Sequence, residues 1–176
     1  MKNTLKKSTA LFMALAIFAM IISGCKKSDS NNGGVTPTPP TPGSYGTFTV
    51  GDKSYDINYG AYTIENDTVG IVLANGTDDI NNLYGIALPN FNAIPEGTFD
   101  YMNQSTPQGD CIGLITSDSV AYYCSAGSVT ITKSASNYKI VSTGKVSLLY
   151  GFSTPNSEKN FTVNFEGPLV NETETK

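Results

Sequence analysis

The sequence predicts a single all-β domain of about ten strands, an antiparallel sandwich or barrel, behind a signal peptide and a disordered linker. Three observations predict it. Apolar residues recur with period two across 45–170. Turn-forming pairs such as Gly51-Asp52, Asn66-Asp67 and Asn75-Gly76 punctuate the runs. No window carries a sustained 3.6-residue apolar repeat with caps. The span of about 125 residues suits one domain. It leaves 1–24 as leader, 25–44 as linker and 171–176 as a polar tail.

The leader comes first. Lys2, Lys6 and Lys7 form a basic start, and 10–22 (ALFMALAIFAMII) is an uninterrupted apolar run of 13 residues. As a helix it spans about 20 Å, short of a hydrocarbon core of roughly 30 Å, so the run reads as a secretory h-region and not a membrane span. It ends at Ile22-Ser23-Gly24-Cys25. This junction resembles the lipobox of bacterial lipoproteins: an aliphatic residue, a small residue, Gly or Ala, then Cys. The resemblance implies cleavage before Cys25, lipid on its sulfur and acylation of the new N-terminus. Several acyl chains on one residue give stable anchoring where one chain is marginal.

The linker KKSDSNNGGVTPTPPTPGS (26–44) has one aliphatic residue, Val35, and no aromatic. It buries too little apolar surface to offset its ordering entropy. Its TPTPPTP stretch favours an extended polyproline form, and 19 residues reach roughly 60 Å at most. KKSDSNN and the Asn/Gly/Thr/Tyr-rich, Arg-free style that follows resemble small envelope lipoproteins of the Bacteroidota. That resemblance implies a lipid-anchored, outer-membrane location. Asp29 is the single acid shortly after Cys25, where some surface-exported members carry several, so the face stays open.

The strands follow in order. Phe48 and Val50 alternate with Thr47 and Thr49, and Tyr55, Ile57 and Tyr59 with Ser54, Asp56 and Asn58. Tyr62 and Ile64 shift the phase by one, which predicts a bulge or bend at Gly60. Val69, Ile71 and Leu73 follow, then Tyr84, Ile86 and Leu88, then Phe99 and Tyr101. Later runs are 111–116, 119–125, 128–133, 138–142, 145–150 and 160–166. A sheet curled by bulges at Gly60 and Gly144 suits a lipocalin-like barrel as a subtype.

Two hairpins are legible. A turn at Ser117-Asp118 sets Cys111 directly opposite Cys124 on a non-hydrogen-bonded pair, at the short end of disulfide geometry. In an oxidising compartment a Cys111–Cys124 disulfide is expected; free buried thiols are the alternative, and a longer turn stays possible. In GSVTITKSASNYKI, a four-residue loop at 134–137 sets Val129 and Ile131 opposite Ser142 and Ile140, with Thr130 and Thr132 facing out.

The composition excludes much chemistry. All 11 basic residues are Lys, and His, Arg and Trp are absent. That removes imidazole triads, imidazole metal ligands and guanidinium forks. From residue 45 on, six Lys face fourteen acids, a net charge of −8, which disfavours nucleic acid as a partner. No cofactor or metal site is expected. The best cation candidate is the loop holding Asn75, Asp78 and Asp79; it lacks the EF-hand pattern, and a plain connection explains it equally well. Asp67-Thr68-Val69 and Asp118-Ser119-Val120 resemble the Asp-Ser/Thr-aliphatic sites of Bacteroidota O-glycosylation, which implies Thr68 and Ser119 as acceptors.

Ten tyrosines are the main binding feature, with Tyr55, Tyr59 and Tyr62 closely spaced as candidate ligand contacts. Most of the ten are also explained as strand formers at the core rim. The expectation is a non-enzymatic envelope lipoprotein used for ligand binding or surface interaction, with a lipocalin-like carrier as its specific version. Its partners are the membrane, through the lipid, and a small ligand, glycan or envelope protein. The alternatives are a structural or adhesive surface module and a carboxylate-dependent hydrolase.

Overall fold

The computed structural model describes residues 43–77, 79–102, 109–149 and 158–173. The leader, Cys25 and most of the linker lie outside them. The described residues form eleven strands and no helix: β1 (Gly46–Val50), β2 (Lys53–Ile57), β3 (Tyr59–Glu65), β4 (Thr68–Ala74), β5 (Leu83–Pro89), β6 (Gly97–Asp100), β7 (Ile112–Ser117), β8 (Val120–Ser134), β9 (Asn137–Leu148), β10 (Lys159–Gly167) and β11 (Val170–Asn171).

All eleven belong to one curled sheet ordered β11-β3-β4-β5-β7-β8-β9-β10-β1-β2, with β6 on β8. The sheet is a half-barrel. Among the described residues no ladder joins β2 to β3 or β11, so the hydrogen-bonded circuit stays open. Among the described residues every strand-to-strand ladder is antiparallel except β11 on β3, where Val170 lies beside Ala61; an isolated parallel bridge also joins Tyr101 to Cys111. The all-β class and the strand count match the sequence expectation; the one parallel edge makes the sheet mixed.

The long strand β8 produces the curl. Its first residues pair with β7 and its later ones with β6, while β9 follows it throughout. A bulge at Ser125 lies between the pairs Cys124–Val146 and Ala126–Lys145. Just beyond it Gly127 faces Gly144. A Cβ on Gly127 would collide with the Thr143 carbonyl, and one on Gly144 with the Ala126 carbonyl. The bulge expected at Gly144 is therefore on the partner strand, with Gly144 supplying the close approach. Gly60 needs correcting too. The chain breaks at Asn58, between β2 and β3, which shifts the inward phase from Tyr55 and Ile57 to Gly60, Tyr62 and Ile64. Gly60 is an unbulged inward position that makes room for Phe165 and Leu169.

The β8–β9 register, with Val129 opposite Ser142 and Ile131 opposite Ile140, is the expected one. The ladder runs on to Ser134–Asn137, so the connection has two residues, not four. The β7–β8 register differs. Ser117 pairs with Val120, and the turn is Asp118-Ser119, both with positive φ (51° and 67°). This is the hairpin turn whose twist matches the strands, whereas Ser117-Asp118 does not adopt it.

The interior is filled. Tyr84 on β5, Tyr101 after β6 and Phe161 on β10 meet across it, with ring centroids 6.4 Å and 5.9 Å from Phe161. The Tyr84 and Tyr101 hydroxyls share a 2.6 Å hydrogen bond, and Tyr101 shares another of 2.6 Å with Ser142. The Ser142 hydroxyl donates to the Ser128 carbonyl at 2.9 Å, so the buried chain is satisfied from end to end.

Candidate functional site

The β1–β2 turn places Lys53 at the far end of β1 from Gly46, where the linker joins the domain. Four residue steps put these ends roughly 13 Å apart. On β2, Tyr55 lies on the inward face. Its ring stacks on Phe48 (centroids 4.8 Å apart), and its hydroxyl points at the β7–β8 turn. There Tyr55 Oη donates to Asp118 Oδ1 at 3.2 Å, and Ser117 Oγ donates to Tyr55 Oη at 2.6 Å. Lys53 pairs with the other Asp118 oxygen. On β10, Lys159 Nζ donates to Tyr122 Oη at 3.0 Å and lies 5.1 Å above that ring's centroid.

These groups act on one another electrically. The Lys53 ammonium holds the Asp118 carboxyl below the usual carboxylate range, helped by Tyr55 and Lys159. The bond to Asp118 raises Lys53 in turn. Both side chains are about half exposed (59% and 50%), so water screens the pair and its contribution to stability is small.

The loop before β5 fixes the turn. Asn82 Oδ1 accepts from the Asp118 amide (3.0 Å), Asn81 Oδ1 accepts from Ser119 Oγ (2.9 Å), and the Ile80 carbonyl accepts from Thr116 Oγ1 (2.9 Å). This is the loop offered as a cation candidate. Its oxygens are used internally: Asp79 Oδ1 accepts from the Asn81 and Asn82 amides, and Asn75 Oδ1 accepts from Asn58 Nδ2. Asp78 lies outside the described residues. The loop is thus a turn clamp. Among the described residues no three His, Cys, Asp or Glu side chains are grouped to hold a metal.

The three candidate tyrosines do not converge. Tyr55 belongs to the cluster at Asp118. The Tyr59 hydroxyl donates to Glu172 (2.6 Å), while Tyr62 packs on the main core. Tyr59 and Tyr62, three residues apart on β3, lie on opposite faces of the strand. Thr68 is the half-buried first residue of β4, and Ser119 is exposed at the tip of its turn. Sequence reasoning missed Lys53, Ser117, Tyr122 and Lys159 as a group. They come from three distant segments, and only the Asp118-Ser119 turn had a local signal.

The cysteines also require correction. With Leu114 opposite Tyr123, the same register sets Cys124 against Gly113, where an added Cβ would lie 2.5 Å from Cys124 Sγ. Cys111 is then a diagonal neighbour, and such positions have Cα atoms about 7–8 Å apart, beyond ordinary disulfide span. Both are free thiols, buried in the interior. Burial pushes Cys111 up to about 12, with Asp110 and Asp100 adding to it, and it raises Cys124 as well. They behave as small apolar side chains.

No family model, curated protein or solved structure matches the chain. No helix among the described residues is long and apolar enough to cross a membrane.

Proposed function

We propose that the protein is a lipid-anchored envelope protein whose β domain is a non-enzymatic module for surface interaction, held off an outer membrane by its linker. The observation that carries this reading is the Ile22-Ser23-Gly24-Cys25 junction behind a basic, apolar leader and ahead of a proline-rich spacer. Two or more acyl chains on Cys25 are the membrane contact. The filled interior supports a partner met on the surface, a glycan or an envelope protein, over a small ligand carried inside.

The test is fractionation with metabolic palmitate labelling. Native chain should sediment with membranes and carry label, and Cys25→Ala should lose both. A Cys25→Ala chain that stays on the membrane refutes the anchor.

A further inference from the structure

Five lysines lie among the described residues, and they are used differently. Lys145 is paired with Glu158 (3.1 Å), and Lys133 lies over the Tyr138 ring. Lys53, on β2, pairs with the carboxylate of Asp118, while Lys159, on β10, bonds the hydroxyl of Tyr122 just past the same turn. Each ammonium has three donors, and the contacts above use one on each. The Tyr55 hydroxyl donates to the same carboxylate, and Ser117 holds that hydroxyl in place. This end of the domain is therefore built around a carboxylate that the β7–β8 turn itself supplies.

Its surroundings identify the kind of carboxylate it suits. Ile80 and Val120 are exposed at 48% and 40%, and they flank the clamped turn. The aromatic faces are taken: Tyr55 stacks on Phe48, and Tyr122 is buried beneath Lys159. Among the described residues these two rings are already occupied, whereas a peptide with alternating acidic and aliphatic side chains finds both ammonium donors and apolar contacts.

We propose that this end of the domain binds acidic peptide segments, with Asp118 standing in for the partner's carboxylate in the free protein. The proposal rests on the surface-interaction reading and names the partner class for it.

The experiment is an amide chemical-shift titration of the full chain in detergent, so that its outcome does not depend on acylation of Cys25. The probes are a capped peptide alternating glutamate and leucine and, separately, polygalacturonate. The peptide should shift the amides of Lys53, Ile80, Asp118 and Ser119, and its binding should weaken with salt. Lys53→Gln with Lys159→Gln should weaken it roughly tenfold, and Asp118→Asn should tighten it about two- to fivefold by removing the competitor. Shifts spread equally over Lys133, Lys139 and Lys145, no shifts, or weaker binding by Asp118→Asn would overturn the proposal. Stronger shifts of the same amides by polygalacturonate would overturn the peptide in favour of an acidic glycan. A change in membrane fractionation of Cys25→Ala bears only on the anchor, so the two failures are distinguishable.

Discussion

The strands β10 and β4 belong to one sheet but are solvated in opposite ways. β10 alternates: Phe161, Val163 and Phe165 are buried, and Thr162, Asn164 and Glu166 are exposed. From Val69 onward, β4 is buried on both faces. Val69, Ile71 and Leu73 enter the main core, while Val72 and Ala74 join Leu83 and Leu114 in a second, smaller cluster on the outer side. The difference is compositional. Threonine, asparagine and glutamate between the phenylalanines of β10 keep that face wet; glycine, valine and alanine between the core residues of β4 keep the other dry. A period-two pattern thus reports one wet face, and its loss reports two dry ones.

The sharpest way to break this contrast is to put the same charge on both outer faces. Val72→Asp buries an unpaired carboxylate and should cost about 3–5 kcal/mol, whereas Asn164→Asp should stay within roughly 0.5 kcal/mol. Paired urea unfolding curves check this, and equal losses would show that the β4 outer face is wet after all.

A smaller effect tests the interior between the two regions. Gly113→Ala would set a methyl 2.5 Å from both Cys124 Sγ and the Tyr101 ring, and overpacking of this kind costs about 1–3 kcal/mol. Thermal unfolding should show a clear fall in Tm; an unchanged Tm would mean that the hairpin register leaves room there.

Smaller again is Tyr84→Phe. It removes one link of the buried hydroxyl chain but leaves Tyr101 bonded to Ser142, so about 1 kcal/mol should be lost. A double-mutant cycle with Ser142→Ala measures the coupling, and strict additivity would show that the chain is not cooperative.

The least effect is expected at the exposed end. Asp118 is depressed in the folded protein, so its contribution is complete above the ordinary carboxyl value of 3.8 and is lost as pH falls through its lower folded value. Native chain and Asp118→Asn should therefore differ slightly in stability near neutral pH and converge in acid. A difference that grows as pH falls would contradict the Lys53 pairing.

The alternating strands were the legible part of the fold. The β8–β9 register followed from setting Val129 and Ile131 against Ser142 and Ile140 across the loop, because a slip of one residue would turn the apolar set into water. The Asp118-Ser119 turn was less legible. Ser117-Asp118 and Asp118-Ser119 differ by one position and are chemically alike, and the positive φ values that decide between them appear only when the ladder forms. That choice moved Cys111 from opposite Cys124 to its diagonal and removed the expected disulfide. The cluster at Asp118 was least legible. Lys53, Tyr55, Tyr122 and Lys159 carry no shared motif and meet only because the sheet curls.

The sequence by itself determined the all-β class and the alternation of β10 and β1. These depend on period, composition and local motif, which a linear chain displays. Tertiary structure decided the phase change at Asn58, the packed interior and the meeting of Lys53 and Tyr55 on the Asp118 carboxylate. Each of these depends on where a strand bends and which distant strand it then faces, and that is set by packing across the whole sheet.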